Sequence, residues 1–249
     1  MDLEDLALSR EWFYPFKLPS GRVTRTYAGT DAITPIHDTR LRMLEQALNS
    51  HFGESLSRYT ALDIACHQGF FANYLAQRGA DVLAIDARDE HVADTTLIRN
   101  IYGKTNLRVE KLQVDDLKRE IHGQFDIVLM FGLLYHLEDP VRALRRAREV
   151  TRKVCLLETQ VAPGMTGVID YGSYLYTKPL MGAFGIVDET QETHGSEASM
   201  SGICLVPSLE GLLWLMNKVG FVNVQVLPPP PEAYEQIRNG KRVMVAGFV

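Results

Sequence analysis

The feature that most limits how this chain can fold is the alternation of short apolar runs with helix-like stretches between Thr60 and Val161. Repeated strand–helix units of this kind build a mostly parallel sheet that helices cover on both faces. The predicted strands are residues 60–65, 81–86, 107–113, 125–131 and 153–159, and the predicted helices are 69–78, 90–102 and 139–150. The sequence indicates where the last helix begins, because Asp139 can cap its exposed amides and Pro140 suits the first helical position, where no amide donor is needed.

The segments that flank this region carry different signals. Leu41, Leu44 and Leu48 share one helical face, which predicts a helix packed on the sheet. The aromatic run WFYPF at 12–16 predicts an ordered loop or cap instead of a regular element. Residues 161–207 are rich in Gly, Tyr and Thr and lack sustained periodicity, so they are predicted to form a lid or binding loop.

The C-terminal part is predicted to return to the sheet. Ser208 is a predicted cap for a helix at 209–218, which ends at Gly220. Strands are predicted at 221–227 and 242–249, joined by a proline-rich link that is expected to exclude helix.

Composition narrows the class of protein. With 249 residues, 46% of them apolar and 23% charged, the chain matches one large globular domain with an appended lid. No apolar run reaches the ~18–20 residues that cross a bilayer, and the start MDLEDLALSREW lacks the features of a signal peptide, so we expect a cytoplasmic protein without a membrane partner. The net charge of −5 weakens the case for a nucleic-acid partner without excluding it.

The three cysteines, Cys66, Cys155 and Cys204, lie far apart and lack the paired spacing of a zinc site or a disulfide framework. We therefore expect reduced thiols and predict no metal site. Cys66 is expected to be a small packed residue and not a nucleophile.

The stretch LDIACHQGFFANYLAQRGADVLAIDARD at 62–89 indicates the chemistry most directly, because it predicts a strand, a tight turn, a helix and a second strand with an acid at its tip. A cofactor that carries a ribose needs this geometry. In the protein, a tight turn whose backbone approaches the cofactor comes first. About 20 residues later, a carboxylate accepts hydrogen bonds from the ribose hydroxyls. Asp86 occupies that carboxylate position.

These residues resemble the class I S-adenosylmethionine-dependent methyltransferases. The first motif of that family has an acid followed by alternating glycines, and the matching positions here are Asp63, Ala65, His67 and Gly69. Two of the glycines are therefore replaced, and a side chain at 67 must point away from the cofactor or touch its amino-acid end. Three further motifs follow in the family's order: Asp86, LQVDDL at 112–117 and FDIVLMFGLLYHLEDP at 125–140.

Within that family, the sequences of several segments resemble those of the branch that contains the wobble-uridine carboxymethyltransferase of bacterial tRNA and its small-molecule relatives. These segments are WFYPFKLPSGRVT, LLYHLEDPVRAL, LLETQ and VPSLEGLLWLMNKVGFVNV. The resemblance implies a Rossmann-like, seven-stranded, mostly parallel sheet with an antiparallel last strand. Together with the lid predicted above from its composition, it gives four expected regions. These are an N-terminal cap and helix (1–50), a cofactor-binding core (51–160), a substrate lid (161–207), and a C-terminal helix and strands of the core (208–249).

The resemblance also implies the cofactor, S-adenosyl-L-methionine, and the residues that contact it. Those residues are Asp63, Ala65, Cys66, His67, Gly69, Phe70, Asp86, Ala87, Arg88, Gln113, Val114, Asp115, Met130, Phe131 and Gly132. In the adenine-side loop Gln113 and Val114 give the better register, and Asp115 is an alternative. Whether ordinary or carboxylated S-adenosylmethionine is the donor stays open.

Candidate catalytic residues are those expected near the mouth of the sheet: His136, Tyr135, Glu158, His194 and His37, the last together with Arg40. Each has a structural alternative: a hydrogen bond for His136, an arginine or lid amide for Glu158, and solvent for His194. Candidate substrate contacts are aromatic, and their alternative is a small core that holds the lid: Trp12, Phe13, Tyr171, Tyr174 and Tyr176.

The predicted activity is methyl transfer to oxygen, nitrogen or sulfur of a small, largely apolar or aromatic metabolite. A tRNA wobble-uridine (carboxy)methyltransferase is the first alternative, and a non-catalytic partner protein with this fold is the second. The basic run RALRRAREVTRK at 142–153 is interpreted first as a solvent-exposed helix face, and contact with RNA is the less favoured interpretation.

Overall fold

The computed structural model describes residues 2–27, 34–169, 172, 178–190, 192 and 198–249. Four predicted site residues, Tyr171, Tyr174, Tyr176 and His194, lie outside the described residues. Within the described ranges, no helix combines the length and apolar character that a membrane crossing requires.

The strands, numbered β1–β13 in chain order, are Glu11–Trp12, Arg25–Thr26, Thr60–Ile64, Asp81–Asp86, Leu107–Lys111, Phe125–Phe131, Thr151–Gln160, Gly167–Ile169, Lys178–Leu180, Phe184–Asp188, Ile203–Pro207, Val222–Val226 and Arg242–Phe248. Seven of them form the central sheet in the order β12–β13–β7–β6–β3–β4–β5. Neighbours from β7 to β5 run parallel, whereas β13 is antiparallel to both β7 and β12. The predicted seven-stranded sheet with an antiparallel last strand is thereby confirmed.

The helices that lie wholly within the described ranges, numbered α1–α8, are Leu3–Leu8, Thr34–Phe52, Phe70–Gln77, Asp89–Ile101, Arg119–His122, Pro140–Val150, Leu209–Lys218 and Glu235–Arg238. Single 3-10 turns occupy Val114–Asp116 and Leu134–His136. Both predicted caps are present, since Asp139 accepts a hydrogen bond from the amide of Arg142 and Ser208 accepts one from the amide of Gly211.

The strand β6 shows why the sheet has two helical layers. Apart from Asp126, its residues are apolar on both faces, and side chains alternate between the faces along a strand. Ile127 and Leu129 pack into a hydrophobic cluster with side chains of α2, α3 and α4. Val128 and Met130 pack into a second cluster with side chains of α6 and α7.

The aromatic run at 12–16 was predicted to be a loop or cap, and among its residues only Trp12 lies in a strand. The N-terminal segment around this run does have regular elements. It contains α1 and a short parallel pair, β1 and β2. Trp12 is fully buried, and its indole N–H donates to the carbonyl of Ala7 at 2.8 Å. The helix predicted at 41–48 extends over all of α2, because the leucine stripe marks only its middle.

Two further expectations need correction. The lid was expected to lack periodic structure, but β8 pairs with β9 and β10 with β11, both antiparallel. Strands can pair through their backbones without any alternation of apolar and polar side chains in the sequence. Strand β10 shows no alternation of buried and exposed residues, since four of its five residues are exposed. The proline-rich link was expected to exclude helix, but α8 forms after its last proline, Pro231.

Candidate functional site

The site begins at the turn between β3 and α3. Ala65, His67 and Gly69 have φ angles of 56°, 53° and 78°, so positive φ alternates along the turn as it would in an alternating-glycine motif. Glycine is required at 69, because a Cβ there would lie 2.4 Å from a methyl carbon of Thr95. For Ala65 and His67 the left-handed conformation costs about 1–2 kcal/mol each, so the turn holds backbone strain.

Asp86, at the end of β4, holds this turn in place. One carboxylate oxygen accepts the amide N–H of His67 at 2.9 Å, and the other accepts the amide N–H of Arg88 at 3.0 Å. The latter oxygen also lies 3.1 Å from Nδ1 of His91. Burial raises the pKa of Asp86, but the hydrogen bonds from His91, Arg88 and His67 outweigh burial and bring the pKa below its ordinary value. Asp86 is therefore an ionised acceptor.

Asp63, at the end of β3, has the opposite charge preference. Burial raises its pKa to about 8, the amide of Ala72 lowers it, and the negative charge of Asp86 raises it further. Its Oδ2 atom is buried and has no hydrogen-bond partner among the described residues. Because Asp63 borders the cavity described next, this oxygen fits a ligand that brings a hydrogen-bond donor.

A cavity of about 1020 Å³ opens above the carboxyl ends of the parallel strands. Twelve of the fifteen predicted cofactor contacts line it: Asp63, Ala65, Cys66, His67, Asp86, Ala87, Arg88, Gln113, Val114, Asp115, Phe131 and Gly132. We call this the donor end. His91 and Leu112 also line the cavity, and the sequence had not singled them out.

The other three predicted contacts lie off the lining. Gly69 precedes α3 and faces Thr95, and Phe70 stacks on Tyr14 with ring centroids 4.9 Å apart. Met130 is fully buried in the second hydrophobic cluster. Burial also raises the pKa of the Cys66 thiol well above its ordinary value, which does not favour a nucleophile.

The opposite part of the cavity, the acceptor end, is lined by groups from the N-terminal segment, the core and the last strand: Phe13, Tyr14, Arg40, Tyr135, His136, Tyr234 and Arg242. Of these, Phe13, Tyr135 and His136 were predicted as site residues, and Arg40 was considered with them.

A buried ionic network supports the acceptor end. Arg40 and Arg242 donate to Glu158 at 2.6 and 3.0 Å, and Arg242 also donates to the hydroxyl of Tyr135 at 2.8 Å. Burial raises the pKa of Glu158, but the charges of the two arginines outweigh it and hold the pKa below its ordinary value. Glu158 is thus a poor proton acceptor, and the two guanidinium groups leave one net positive charge beside the cavity.

His136 occupies the 3-10 turn after β6 and contacts the lid. Its Nδ1 atom lies 2.5 Å from an Oε atom of Glu189, which also accepts the amide of Ser199 at 2.9 Å. The thiol of Cys204 donates to the same oxygen at 3.3 Å. Burial raises the pKa of Cys204 to about 11, although the side chain of Ser199 lowers it.

His37 and Trp12 do not reach the cavity lining. The ring of His37 packs between Phe13 and Tyr14, with centroid distances of 4.7 and 4.3 Å. Burial and then the charge of Arg40 lower the pKa of His37 to about 3, so the ring is neutral. Trp12 belongs to the first hydrophobic cluster. The roles given to both residues stay predictions.

Comparison with known proteins gives the class. Residues 62–157 match the family model described as a methyltransferase domain. The tRNA U34 carboxymethyltransferase of Desulfotalea psychrophila is 26% identical over 197 residues, which is 78% of this chain and 54% of that protein. The ubiquinone biosynthesis O-methyltransferase of Acinetobacter baumannii (strain AYE) is 26% identical over 117 residues, 47% of each chain. The chain thus spans about half the length of the curated relatives it matches.

A solved structure, the N-terminal domain of EvdMO1 with SAH bound, superposes with a TM-score of 0.72 at 20% identity and covers 100% of this chain and 98% of that chain. This likeness concerns the fold. The matched domain supports the predicted family for residues 62–157, which match a methyltransferase domain, and the superposition supports the predicted fold. The relatives also confirm that the chain lies near the branch that contains the tRNA carboxymethyltransferase.

Proposed function

We propose that this protein transfers a methyl group from S-adenosylmethionine to oxygen, nitrogen or sulfur of a small molecule enclosed at the acceptor end. One observation carries the proposal: a single cavity of about 1020 Å³ joins the donor end to a set of aromatic and polar side chains. Pockets for drug-sized ligands span about 300–1,000 Å³, so this volume suits a nucleoside donor together with a small acceptor.

The donor-end residues suit the cofactor. Ionised Asp86 is an acceptor for ribose hydroxyls, and the unpartnered oxygen of Asp63 is an acceptor for a donor group of the ligand. Leu112 and Val114 offer apolar contacts for a flat base, with Gln113 beside them. When bound, S-adenosylmethionine supplies a methyl group that its sulfonium already activates.

The rest of the catalysis depends on positioning the two reactants and on excluding water. Holding two reactants in line contributes about 7–11 kcal/mol at the favourable limit, so a dedicated base is optional. Phe13 and Tyr14 cover the cavity from the N-terminal segment, and Ala198 to Ser201 cover it from the lid. The guanidinium of Arg88 donates to the carbonyl of Ala198 at 2.6 Å, which ties the lid to the donor end.

Binding of S-adenosylhomocysteine, measured by calorimetry, tests the donor half of this proposal. We expect one molecule bound per chain, whereas a non-catalytic partner protein has no need to bind it. A chain that binds neither S-adenosylhomocysteine nor S-adenosylmethionine would contradict the proposed activity. Methyl transfer is then assayed with labelled donor against a panel of small phenols, amines and thiols.

The charges of the basic helix favour a small molecule over tRNA. Arg142 pairs with Asp115 and Asp139, and Arg146 pairs with Glu149. Other arginines in or just after α6 are also engaged: Arg148 with the carbonyl of Gly220 and Arg152 with Asp126. A gel-shift assay with bulk tRNA at low and moderate salt separates the two substrates, because RNA contacts weaken steeply as salt rises. Tight, salt-sensitive binding would favour tRNA.

A second candidate donor is the carboxylated derivative of S-adenosylmethionine. It is favoured by the net positive charge of Arg40, Arg242 and Glu158 beside Tyr135, since a buried guanidinium without its own carboxylate suits an anionic group. Calorimetry with both donors tests this candidate. This candidate requires the carboxylated donor to bind more tightly than S-adenosylmethionine and requires Arg242→Gln to abolish that preference. Equal affinities in the unaltered protein would exclude it.

We also propose a cytoplasmic location for the protein. Its three cysteines are free thiols, which suits a reducing compartment.

A further inference from the structure

Three side chains that can ligate a metal ion converge where the lid meets the core. His136 follows β6, Glu189 follows β10, and Cys204 lies in β11. Their ligand atoms all lie within 4.8 Å of one another. Nδ1 of His136 and Sγ of Cys204 lie 2.5 and 3.3 Å from the same oxygen of Glu189. An imidazole, a carboxylate and a thiol are thus directed at one point.

We propose that His136, Glu189 and Cys204 form a binding site for a zinc-class divalent metal ion. Nitrogen, oxygen and sulfur donors are the set that Zn²⁺ takes in proteins, whereas Mg²⁺ and Ca²⁺ take oxygen alone. Glu189 and Cys204 are buried, so an ion held between them lies away from bulk water, where its attraction to charged ligands is strengthened. A divalent ion balances this carboxylate and a thiolate together.

The distances suit a tetrahedral ion after a small adjustment. Bonds of about 2.0–2.3 Å to a tetrahedral ion place the donor atoms about 3.3–3.7 Å apart. The separation of Sγ from the Glu189 oxygen already has that length, at 3.3 Å. The separation of that oxygen from Nδ1 must widen from 2.5 Å by about 1 Å. Rotation of the Glu189 carboxylate, which has a second oxygen, supplies this movement.

Three protein ligands leave one coordination position for water or a ligand, as in catalytic zinc sites. Because His136 borders the acceptor end, the ion lies beside the proposed substrate, and this part of the inference rests on the proposed function. An imidazole that binds metal through Nδ1 carries its proton on the other nitrogen, so it is not a base.

Metal binding is tested on the purified chain after dialysis against a chelator. Titration with Zn²⁺ in a calorimeter should give about one ion per chain, with release of the Cys204 thiol proton to the buffer. Substitution by Co²⁺ should give the absorption band of cobalt bound to a thiolate. We expect Cys204→Ser and Glu189→Gln to lose at least tenfold in affinity and Cys204→Ser to lose that band.

Two matched variants serve as controls. Cys155→Ala removes a buried thiol outside the cluster, and His122→Gln removes a half-buried imidazole on α5, so both should keep full Zn²⁺ affinity. The absence of a thiolate–cobalt band in the unaltered protein would overturn the proposal, whether or not the variants fold. Equal Zn²⁺ affinity in Cys204→Ser, Glu189→Gln and the unaltered protein would also overturn it. S-adenosylhomocysteine binding, measured in parallel, reports on the proposed function separately.

Discussion

Two buried carboxyl groups at the same edge of the sheet differ in their preference for the proton. The pKa of Asp86 is lowered by three donors, and the pKa of Asp63 is raised to about 8 because burial dominates there. One residue therefore presents a fixed negative charge, while the other is protonated at neutral pH without a ligand. Asp86 on β4 is thus a strong hydrogen-bond acceptor, and Asp63 on β3 has an oxygen that no described residue uses.

Asp86→Ala should weaken S-adenosylhomocysteine binding by at least tenfold. The change removes the proposed ribose acceptor and the oxygens that accept the amides of His67 and Arg88. Asp89→Ala is the matched control, since Asp89 is exposed and pairs only with Lys111 among the described residues. Calorimetry of both variants measures the effect. Near-unchanged affinity in Asp86→Ala would mean that the ribose lies elsewhere.

Asp63→Asn should stabilise the ligand-free protein at alkaline pH. Since folding raises the pKa of Asp63 from 3.8 to about 8, the native state binds its proton more tightly than the unfolded state. The stability of the unaltered protein therefore falls as pH rises between these values, and the asparagine removes that loss. Thermal melting from pH 4 to 9 should show a Tm advantage for the variant that grows with pH. An advantage that is constant, or absent at pH 9, would contradict the assignment.

At the scale of elements, Gln68 binds the N-terminal segment to the turn between β3 and α3 through hydrogen bonds. Its amide oxygen accepts the N–H of Phe13 at 2.7 Å, and its amide nitrogen donates to Tyr27 and Asp94 at 3.2 and 3.1 Å. Arg10 pairs with the same Asp94 at 2.6 Å. Gln68 thus connects the turn to the segment that covers the cavity, beside the Arg10–Asp94 ion pair.

Gln68→Ala should loosen this segment and weaken donor binding together. Loss of one buried hydrogen-bonding group costs about 1–3 kcal/mol, so we expect a lower Tm, faster proteolysis between residues 9 and 27, and reduced S-adenosylhomocysteine affinity. Gln225→Ala, at an exposed position of β12, is the control. Affinity and proteolysis that both stay at control levels would contradict the fastening role.

The sequence predicted the elements whose signal is local. The inner strands β3, β4 and β6 are buried almost throughout, so each appears as a short apolar run. The caps at Asp139 and Ser208 marked two helices correctly. The strands of the lid could not be found in this way. They are paired through backbone atoms and expose side chains such as Ile186, which is 82% exposed, so no alternation identifies them.

At the scale of the whole molecule, the residues that line the donor end were largely named from the sequence, whereas those of the acceptor end were named only in part. The donor end comes mainly from the continuous stretch at 62–89 and the loop at 112–117, where spacing indicates the chemistry. The acceptor end is assembled from distant parts of the chain. Arg40 and Arg242 meet at Glu158, and Glu189 meets His136 across 53 positions. Only packing brings these groups together, which is why sequence spacing gave no sign of a metal site.

The central claim is that a nucleoside sulfonium binds across the carboxyl ends of the parallel strands. A crystal structure of the protein with S-adenosylhomocysteine tests it most directly. We predict that the ribose hydroxyls lie within hydrogen-bonding distance of Asp86 and that the base lies beside Leu112, Gln113 and Val114. Density for the ligand at any other place on the chain, or an empty cavity at saturating ligand, would contradict the account.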